Sequence, residues 1–357
     1  MAESTADRQE RISLIRQSAA AIVPRAGDLA RVRTLRFTKP GFDREIWKQM
    51  ALQGWPGLLV PESQGGSGLG MQEFCALCEE LGAGLVPEPL IAAATLAPLL
   101  PEAELARVLS GDLIVLPAFR EPGIAFPENR TKISGSAVTG TKTLVPFAGA
   151  ADAYLVATEN GLALVWRDAK GLALNLFDGR DGGNFGNIEF NQAPAKACLG
   201  SYDAAFDQSA LAIAAYLFGA AQRLFEIALD YIKVRKQFGR PIGSFQTLQH
   251  RAVDLKIQLE LTRAVLNECS ELFDGSADLS TRQTAVSRAK ARASDAAMLV
   301  AKESTQFHGA MGITDEADVG LYSRKILTLY NQYGTAAWHR SRYFSLNKPA
   351  RAAAGAS

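Results

Sequence analysis

Residues 234–246 read VRKQFGRPIGSFQ. Upstream of them, from about Ser209, the residues Leu211, Ala214, Ala215, Phe218, Ala221, Leu224, Phe225, Ala228, Leu229 and Ile232 recur at helical spacing and form one wide apolar stripe. Gly239, Pro241 and Gly243 interrupt that helix, and a second is expected from Phe245 to Phe273. Arg235 therefore stands where a helix stops before a Gly/Pro break. A guanidinium placed there can grip a diphosphate through paired hydrogen bonds; a solvated helix-end arginine is the alternative. Gln246 falls near the start of the next helix, where amides reach an anion or the edge of a heterocycle.

A third long helix is expected over Thr281–Phe307. Its Ala285, Ala289, Ala291, Ala293, Ala296, Ala297 and Ala301 let neighbouring backbones approach closely, and the helix is expected at the core of a tetramer because such a face is too apolar to stay exposed. It runs into QFHGAMG at 306–312. Gly309 and Gly312 there remove side chains where backbone can approach a ligand, although Gly309 also suits a plain helix C-cap. Asp315–Leu346 reads as a last helical region, so 205–346 is expected to be a four-helix bundle and 347–357 a disordered tail.

The character differs over 113–204. Short runs rich in β-formers, at 153–157, 162–166 and 172–176, are separated by turn signals at Glu159-Asn160-Gly161, Asp178-Gly179 and Gly182-Gly183. A small antiparallel β domain, a barrel or two-layer sheet, is expected there. The first part, 1–112, reads as helices over Asp43–Leu52, Gln72–Gly84 and Leu90–Leu100, broken by Gly54-Trp55-Pro56-Gly57 and a glycine-rich loop at 65–68.

Composition narrows the function. Lys+Arg number 38 and Asp+Glu 37, a balance without the electrostatic footprint of a nucleic-acid or anionic-membrane binder. No apolar run reads as long enough to span a bilayer, so no membrane insertion is expected. The polar N-terminus lacks the apolar core of a secretory signal. Cys75 and Cys78 form a CxxC within a helix-period segment, with no second Cys or His pair nearby, and read as buried thiols. A reduced, cytoplasmic protein is the expectation.

Helices, then a β domain, then a helical bundle is the order of the acyl-CoA dehydrogenases, and the chain resembles that family from about residue 43 to 346. WKQMALQGWPGLLVPESQGGSGLG at 47–70 resembles its N-terminal signature, and Glu79-Glu80-Leu81-Gly82 its next helix. Gly140-Thr141-Lys142 with Ala151-Asp152 resembles its barrel motif. The 234–246 stretch, and Gln306–Gly312 with Glu316, are the most specific matches. The resemblance implies an α+β multidomain fold and FAD as cofactor. It implies that Arg235, Phe238, Gln246, Gln306, His308, Gly309 and Gly312 lie at the ADP half of FAD, reached across a subunit interface into a flavin bound mainly by a neighbour.

The sequence also departs from the family. Its reaction removes two hydrogens from an acyl-CoA, and a glutamate takes the α proton. The usual base position, before a Gly-Thr pair, is Tyr333 here, and a phenol with a reference pKa of about 10 is a poor base at neutral pH. The alternative position, at the start of the first bundle helix, is about Ser209. No catalytic residue is therefore assigned. After Glu121-Pro122-Gly123 comes Ile124-Ala125-Phe126-Pro127 in a shortened loop. The aromatic and threonine that usually meet the flavin ring are Leu144 and Pro146, and a proline offers neither hydroxyl nor N–H.

The expectation is a base-less subunit in an α₂β₂-type heterotetramer. A homologous catalytic subunit would supply the base, flavin pocket and acyl-CoA site, and an electron-transferring flavoprotein would accept the electrons. A self-sufficient homotetramer with an unusual base, Glu226 for example, and a flavin-free scaffold are the alternatives.

Overall fold

A computed structural model of the chain describes residues 5–23, 28–123, 128–198, 200 and 202–347. The expected tail and the segment Ile124–Pro127 lie outside the described residues. The chain falls into two compact units, Met1–Ala212 and Ile213–Ser357.

The first unit opens with six helices among the described residues: α1 (Thr5–Ala19), α2 (Ala30–Leu35), α3 (Arg44–Leu52), α4 (Met71–Ala83), α5 (Leu90–Leu96) and α6 (Glu102–Leu109). Helix α3 starts where the Asp43 carboxylate accepts the Glu45 N–H at 2.8 Å. It buries Trp47, whose Nε1 donates to Gly111 O at 3.0 Å. The polar N-terminus also folds, as α1. Arginines anchor it in place of an apolar face: Arg11 pairs with Glu73 of α4 at 3.0 Å, and Arg16 bridges Glu79 at 2.6 Å and Glu80 at 2.7 Å. Cys75 and Cys78 are buried thiols on α4 outside any disulfide, and burial pushes the Cys78 thiol well up.

The β part holds two four-stranded sheets. One runs in the order β1 (Val115–Ala118), β4 (Ala153–Thr158), β5 (Gly161–Trp166), β8 (Lys196–Cys198). The other runs β2 (Lys132–Ser134), β3 (Ala137–Pro146), β7 (Asn184–Pro194), β6 (Leu172–Asp178). The pairs are antiparallel as expected, with one exception: β1 lies parallel to β4, Val115 opposite Ala153. All six residues of β4 are buried.

Helix α7 (Tyr202–Val234) begins in the first unit and continues into the second. By length and composition it is apolar enough to cross a membrane, which corrects the sequence reading, but 78% of its most apolar window is buried inside the protein, as in a core helix. A two-stranded ribbon, β9 (Lys236–Gln237) and β10 (Arg240–Pro241), leads to α8 (Gln246–Asp274) and α9 (Leu279–His308). The region expected as one helical stretch after Asp315 is two helices, α10 (Asp318–Leu329) and α11 (Ala336–Leu346), because Tyr333 and Gly334 adopt positive φ between them. Helices α8, α10 and α11 all pack on α9. The α9 alanines are consequently buried within this chain. They need no second subunit to cover them, contrary to the expectation for the tetramer core. The exposed apolar row lies instead on α8, at Val253, Ile257 and Leu261.

Candidate functional site

In the second unit, the ends of three helices meet. The backbone leaves α7 at Val234 and turns back through β9 and β10, with Gln237 opposite Arg240. The two residues between them, Phe238 (φ 54) and Gly239 (φ 78), both take left-handed backbone, the geometry of a two-residue hairpin turn. Glycine suits that position. Phenylalanine does not, and Phe238 is held there 91% exposed. Arg235 is the first residue beyond α7; its side chain is exposed and makes no ion pair among the described residues. Gln246 is the first residue of α8, also exposed, and the N-cap Phe245 gives no side-chain acceptor to the free N–H groups of that first turn.

The end of α9 is braced against both neighbours. The His308 ring stacks on Tyr231 of α7 with centroids 4.1 Å apart. Its Nδ1 lies 2.8 Å from Ser304 O; a carbonyl only accepts, so Nδ1 carries the proton. Burial lowers the His308 pKa. On the other side, the Arg251 guanidinium of α8 pairs with Glu303 and lies over the Phe307 ring. These braces join side chains distant in sequence, and sequence reasoning missed them. Gln306 is exposed beside them. Gly309 (φ 59) ends α9 with its N–H bonded to Gln306 O, as a C-cap does, and the space around a Cβ there is open. At Gly312 a Cβ would strike Thr305 O of the same chain at 2.5 Å, so close packing within the chain already requires this glycine. Arg235, Phe238, Gln246 and Gln306–Gly312 are thus carried by one braced cluster of helix ends.

The first unit's candidates are satisfied internally. Lys142 is wholly buried; its Nζ lies 2.7 Å from Glu121 Oε1 and 2.9 Å from Asn129 Oδ1. Glu121 also accepts from Thr131 N, Thr131 Oγ1 and Arg130 N at 2.7–2.9 Å. Burial opposes both charges. For Glu121 the lysine and these donors prevail and hold its carboxyl at about 2, whereas burial brings Lys142 down to about 8. Beyond Lys142 the strand bulges between Lys142 and Val145, with Leu144 at φ 55 and Phe147 at φ 53. Asn187 Oδ1 holds the bulge by accepting Thr143 Oγ1 at 2.6 Å and Leu144 N at 3.2 Å.

Neither expected base position holds a carboxylate. Ser209 is not at a helix start, because α7 begins at Tyr202. It is wholly buried, 2.8 Å from Thr95 Oγ1 of α5. Thr95 Oγ1 lies 2.8 Å from Ile91 O, which can only accept, so the Ser209 hydroxyl is the donor to Thr95. Tyr333 sits at φ 54 in the α10–α11 turn. Glu226 is half exposed, 3.2 Å from Arg223 of its own helix.

Comparison with known proteins decides the family. Residues 9–100 match the model of the acyl-CoA dehydrogenase N-terminal domain, and residues 200–343 match that of the C-terminal domain. The chain belongs to the acyl-CoA dehydrogenase family. It is 30% identical to acyl-CoA dehydrogenase IpdE2 of Mycobacterium tuberculosis, over 88% of this chain and 91% of that one. It is 30% identical to FadE27 of the same organism, over 79% and 82%. Among solved structures it resembles a variant of the Tcur3481–Tcur3483 steroid ACAD, with TM-score 0.86, 27% identity and coverage of 95% and 98%. It also resembles the ChsE4–ChsE5 complex of Mycobacterium tuberculosis, with TM-score 0.84, 26% identity and coverage of 98% and 99%.

Acyl-CoA dehydrogenases are oxidoreductases acting on CH–CH groups, and the family typically binds FAD. The two regions fit that cofactor unequally. Among the helix ends, the free guanidinium of Arg235, the uncapped start of α8 and the exposed amide of Gln306 suit a diphosphate and its nucleoside. On the β side, Leu144 and Pro146 offer a flavin ring neither an aromatic face nor a donor.

Proposed function

We propose that this chain is the non-catalytic subunit of a heteromeric FAD-dependent acyl-CoA dehydrogenase. It completes, in trans, the FAD site of a homologous catalytic subunit. Arg235, Phe238, Gln246, Gln306 and Gly309 form the contributed surface, with Arg235 on the diphosphate and the buried His308 and Gly312 supporting it from beneath. The partner supplies the base, the flavin-ring pocket and the acyl-CoA site. In this reading the working assembly is a cytoplasmic heterotetramer whose electrons pass to an electron-transferring flavoprotein, and 1–112, 113–204 and 205–346 act as three domains.

The observation that carries the proposal is the contrast between the two regions. The side chains of Arg235, Gln246 and Gln306 are exposed, with no ion pair for Arg235 among the described residues, whereas both base positions lack a carboxylate and the flavin-facing positions lack donors. The two-component names of ChsE4–ChsE5 and Tcur3481–Tcur3483 support the same reading. Against a self-sufficient enzyme based on Glu226 stands the pairing of that carboxylate with Arg223.

The test is to purify the chain alone and co-expressed with a homologous acyl-CoA dehydrogenase encoded beside it, and to record visible spectra and acyl-CoA dehydrogenation. Bound flavin and turnover are expected only in the co-expressed complex. Turnover by the lone chain, abolished by Glu226→Gln, would replace this reading with the self-sufficient one.

A further inference from the structure

Helix α10 ends at Leu329 and leaves carbonyls without helical partners. One of them, Tyr330 O, receives Lys290 Nζ at 2.8 Å and Ser294 Oγ at 3.0 Å, both from α9. Lys290 Nζ also lies 2.9 Å from Ser294 Oγ and 3.4 Å from Gly334 O. Ser294 gives its own proton to Tyr330 O, so its oxygen accepts from the lysine. The nitrogen therefore faces three acceptors, which suits the three N–H bonds of an ammonium. Lys290 is wholly buried, with no carboxylate at ion-pair distance among the described residues.

From the other side α11 supplies His339, also wholly buried, with Nε2 2.8 Å from Tyr333 O. That carbonyl only accepts, so Nε2 carries the proton. Tyr333 (φ 54) and Gly334 (φ 101) lie between the two bases in left-handed backbone, and a Cβ at 334 would come within 2.8 Å of His339 Nε2. The titratable and charged groups around the pair are Asp295 of α9, Tyr330 and Tyr333 of the turn, and Arg342 of α11. Asp295 is itself paired with Arg340. Burial pushes Lys290 down to about 7, opposed by Asp295. Burial, then Lys290 and Arg342, push His339 to about 3, opposed by its bond to Tyr333 O.

We propose that Lys290 and His339 are positioning residues that together hold the left-handed turn at 333–334 between two donors, and that a second proton on His339, which leaves Nε2–H on Tyr333 O but puts a buried charge near Lys290, favours opening of the turn. By the family resemblance this is the turn that carries the catalytic glutamate in most members; here it is held with Tyr333 in that position. The inference does not depend on the partner reading.

Hydrogen–deuterium exchange of the full chain, near pH 7.5 and about 5, tests it, with rates corrected for intrinsic pH dependence. His339→Gln keeps an N–H donor without a titrating proton; His339→Leu keeps neither. Near pH 7.5, Lys290→Met and His339→Leu should speed exchange over 330–336 by about tenfold, with α8 unchanged, and His339→Gln should match the wild type. On acidification the wild-type turn should speed up more than the His339→Gln turn, which keeps only the response of Lys290. Equal acid responses in those two, or His339→Gln exchanging as fast as His339→Leu, would overturn the proposal. If Lys290→Met does not fold, Ser294→Ala replaces it, with a smaller acceleration expected over the same segment and none elsewhere. Flavin binding and turnover of the complex test the partner reading separately.

Discussion

The helix ends around Arg235 and the β segment around Lys142 carry similar chemistry and treat it in opposite ways. Both place a cation beside a stretch of left-handed backbone. At Lys142 the cation is wholly buried and bonded to Glu121 and Asn129, and Asn187 closes the bulge that follows. At Arg235 the cation is in water with no ion pair among the described residues, and the strained, exposed Phe238 beside it meets the Phe245 ring edge-on. A polar group satisfied within its own chain is structural. One held rigidly and left open is poised for something outside. Changes in the first region should therefore register as stability, and changes in the second as binding.

The largest effect is expected on the closed side. Lys142→Met strands the Glu121 carboxylate in the interior, and breaking a buried pair in this way costs about 3–5 kcal/mol. Thermal unfolding of the chain should show that loss. The pH dependence has a definite sign. Because Glu121 is held at about 2 when folded, against an ordinary value of 4.5, its contribution is complete above the unfolded value and is lost as pH falls toward 2. A Lys142→Met variant that is as stable as wild type would erase the contrast between the regions.

Arg235→Ala comes next and should do the reverse. Removing a charge-assisted hydrogen bond to a diphosphate forfeits about 1.5–3 kcal/mol. That corresponds to an FAD affinity of the co-expressed complex about 10- to 150-fold weaker. The chain's melting temperature and its assembly with the partner should be unchanged, since the exposed Arg235 side chain makes no ion pair among the described residues and the backbone bonds to Tyr231 and Ile242 survive the substitution. Wild-type FAD affinity in this variant would remove the cross-interface role.

These two regions were not equally legible in the sequence. The stripe on α7 and the alanines of α9 announced their helices because apolar burial leaves a 3.6-residue period. Helix α1 left no such trace, since Arg11 and Arg16 dock it onto Glu73, Glu79 and Glu80. Arg235, Gln246 and Gln306 were readable because they stand at helix ends marked by Gly and Pro. The bond from Ser209 to Thr95 joins residues 114 apart in sequence, and no local pattern encodes it. Lys290 lies in an alanine-rich helix, and no local pattern marks its burial, which comes from the packing of α10 and α11 on α9.

That hydroxyl pair supplies a smaller test. Ser209→Ala should cost about 1 kcal/mol of first-unit stability, since one neutral hydrogen bond is lost and Thr95 keeps its bond to Ile91 O. Ser209→Glu should not yield an active lone enzyme, because the site is full and Pro146 still provides no donor to a flavin. Tyr333→Glu should fail for the second reason alone, with its turn intact. Dehydrogenation by either lone variant would mean that this chain kept a flavin pocket of its own.

The smallest effect is the most diagnostic, because two readouts should move in opposite directions. Phe238 occupies the first position of a turn that favours Asn-Gly, and left-handed backbone costs a residue of this kind roughly 1 kcal/mol. Phe238→Asn should relieve that strain and raise the stability of the isolated chain by up to about 1 kcal/mol, since the exposed ring gives up little packing. If the aromatic tip meets a nucleotide held by the partner, the same substitution removes a ring contact of about 0.5–1.5 kcal/mol. FAD affinity of the complex should then fall about 2- to 12-fold. Thermal melts of the chain and FAD titration of the complex measure the two quantities independently. A gain in stability with no loss of affinity would reduce Phe238 to an unfavourable turn residue. A loss of affinity alongside the gain would show that the chain tolerates strain at this tip for a binding role it cannot fulfil alone.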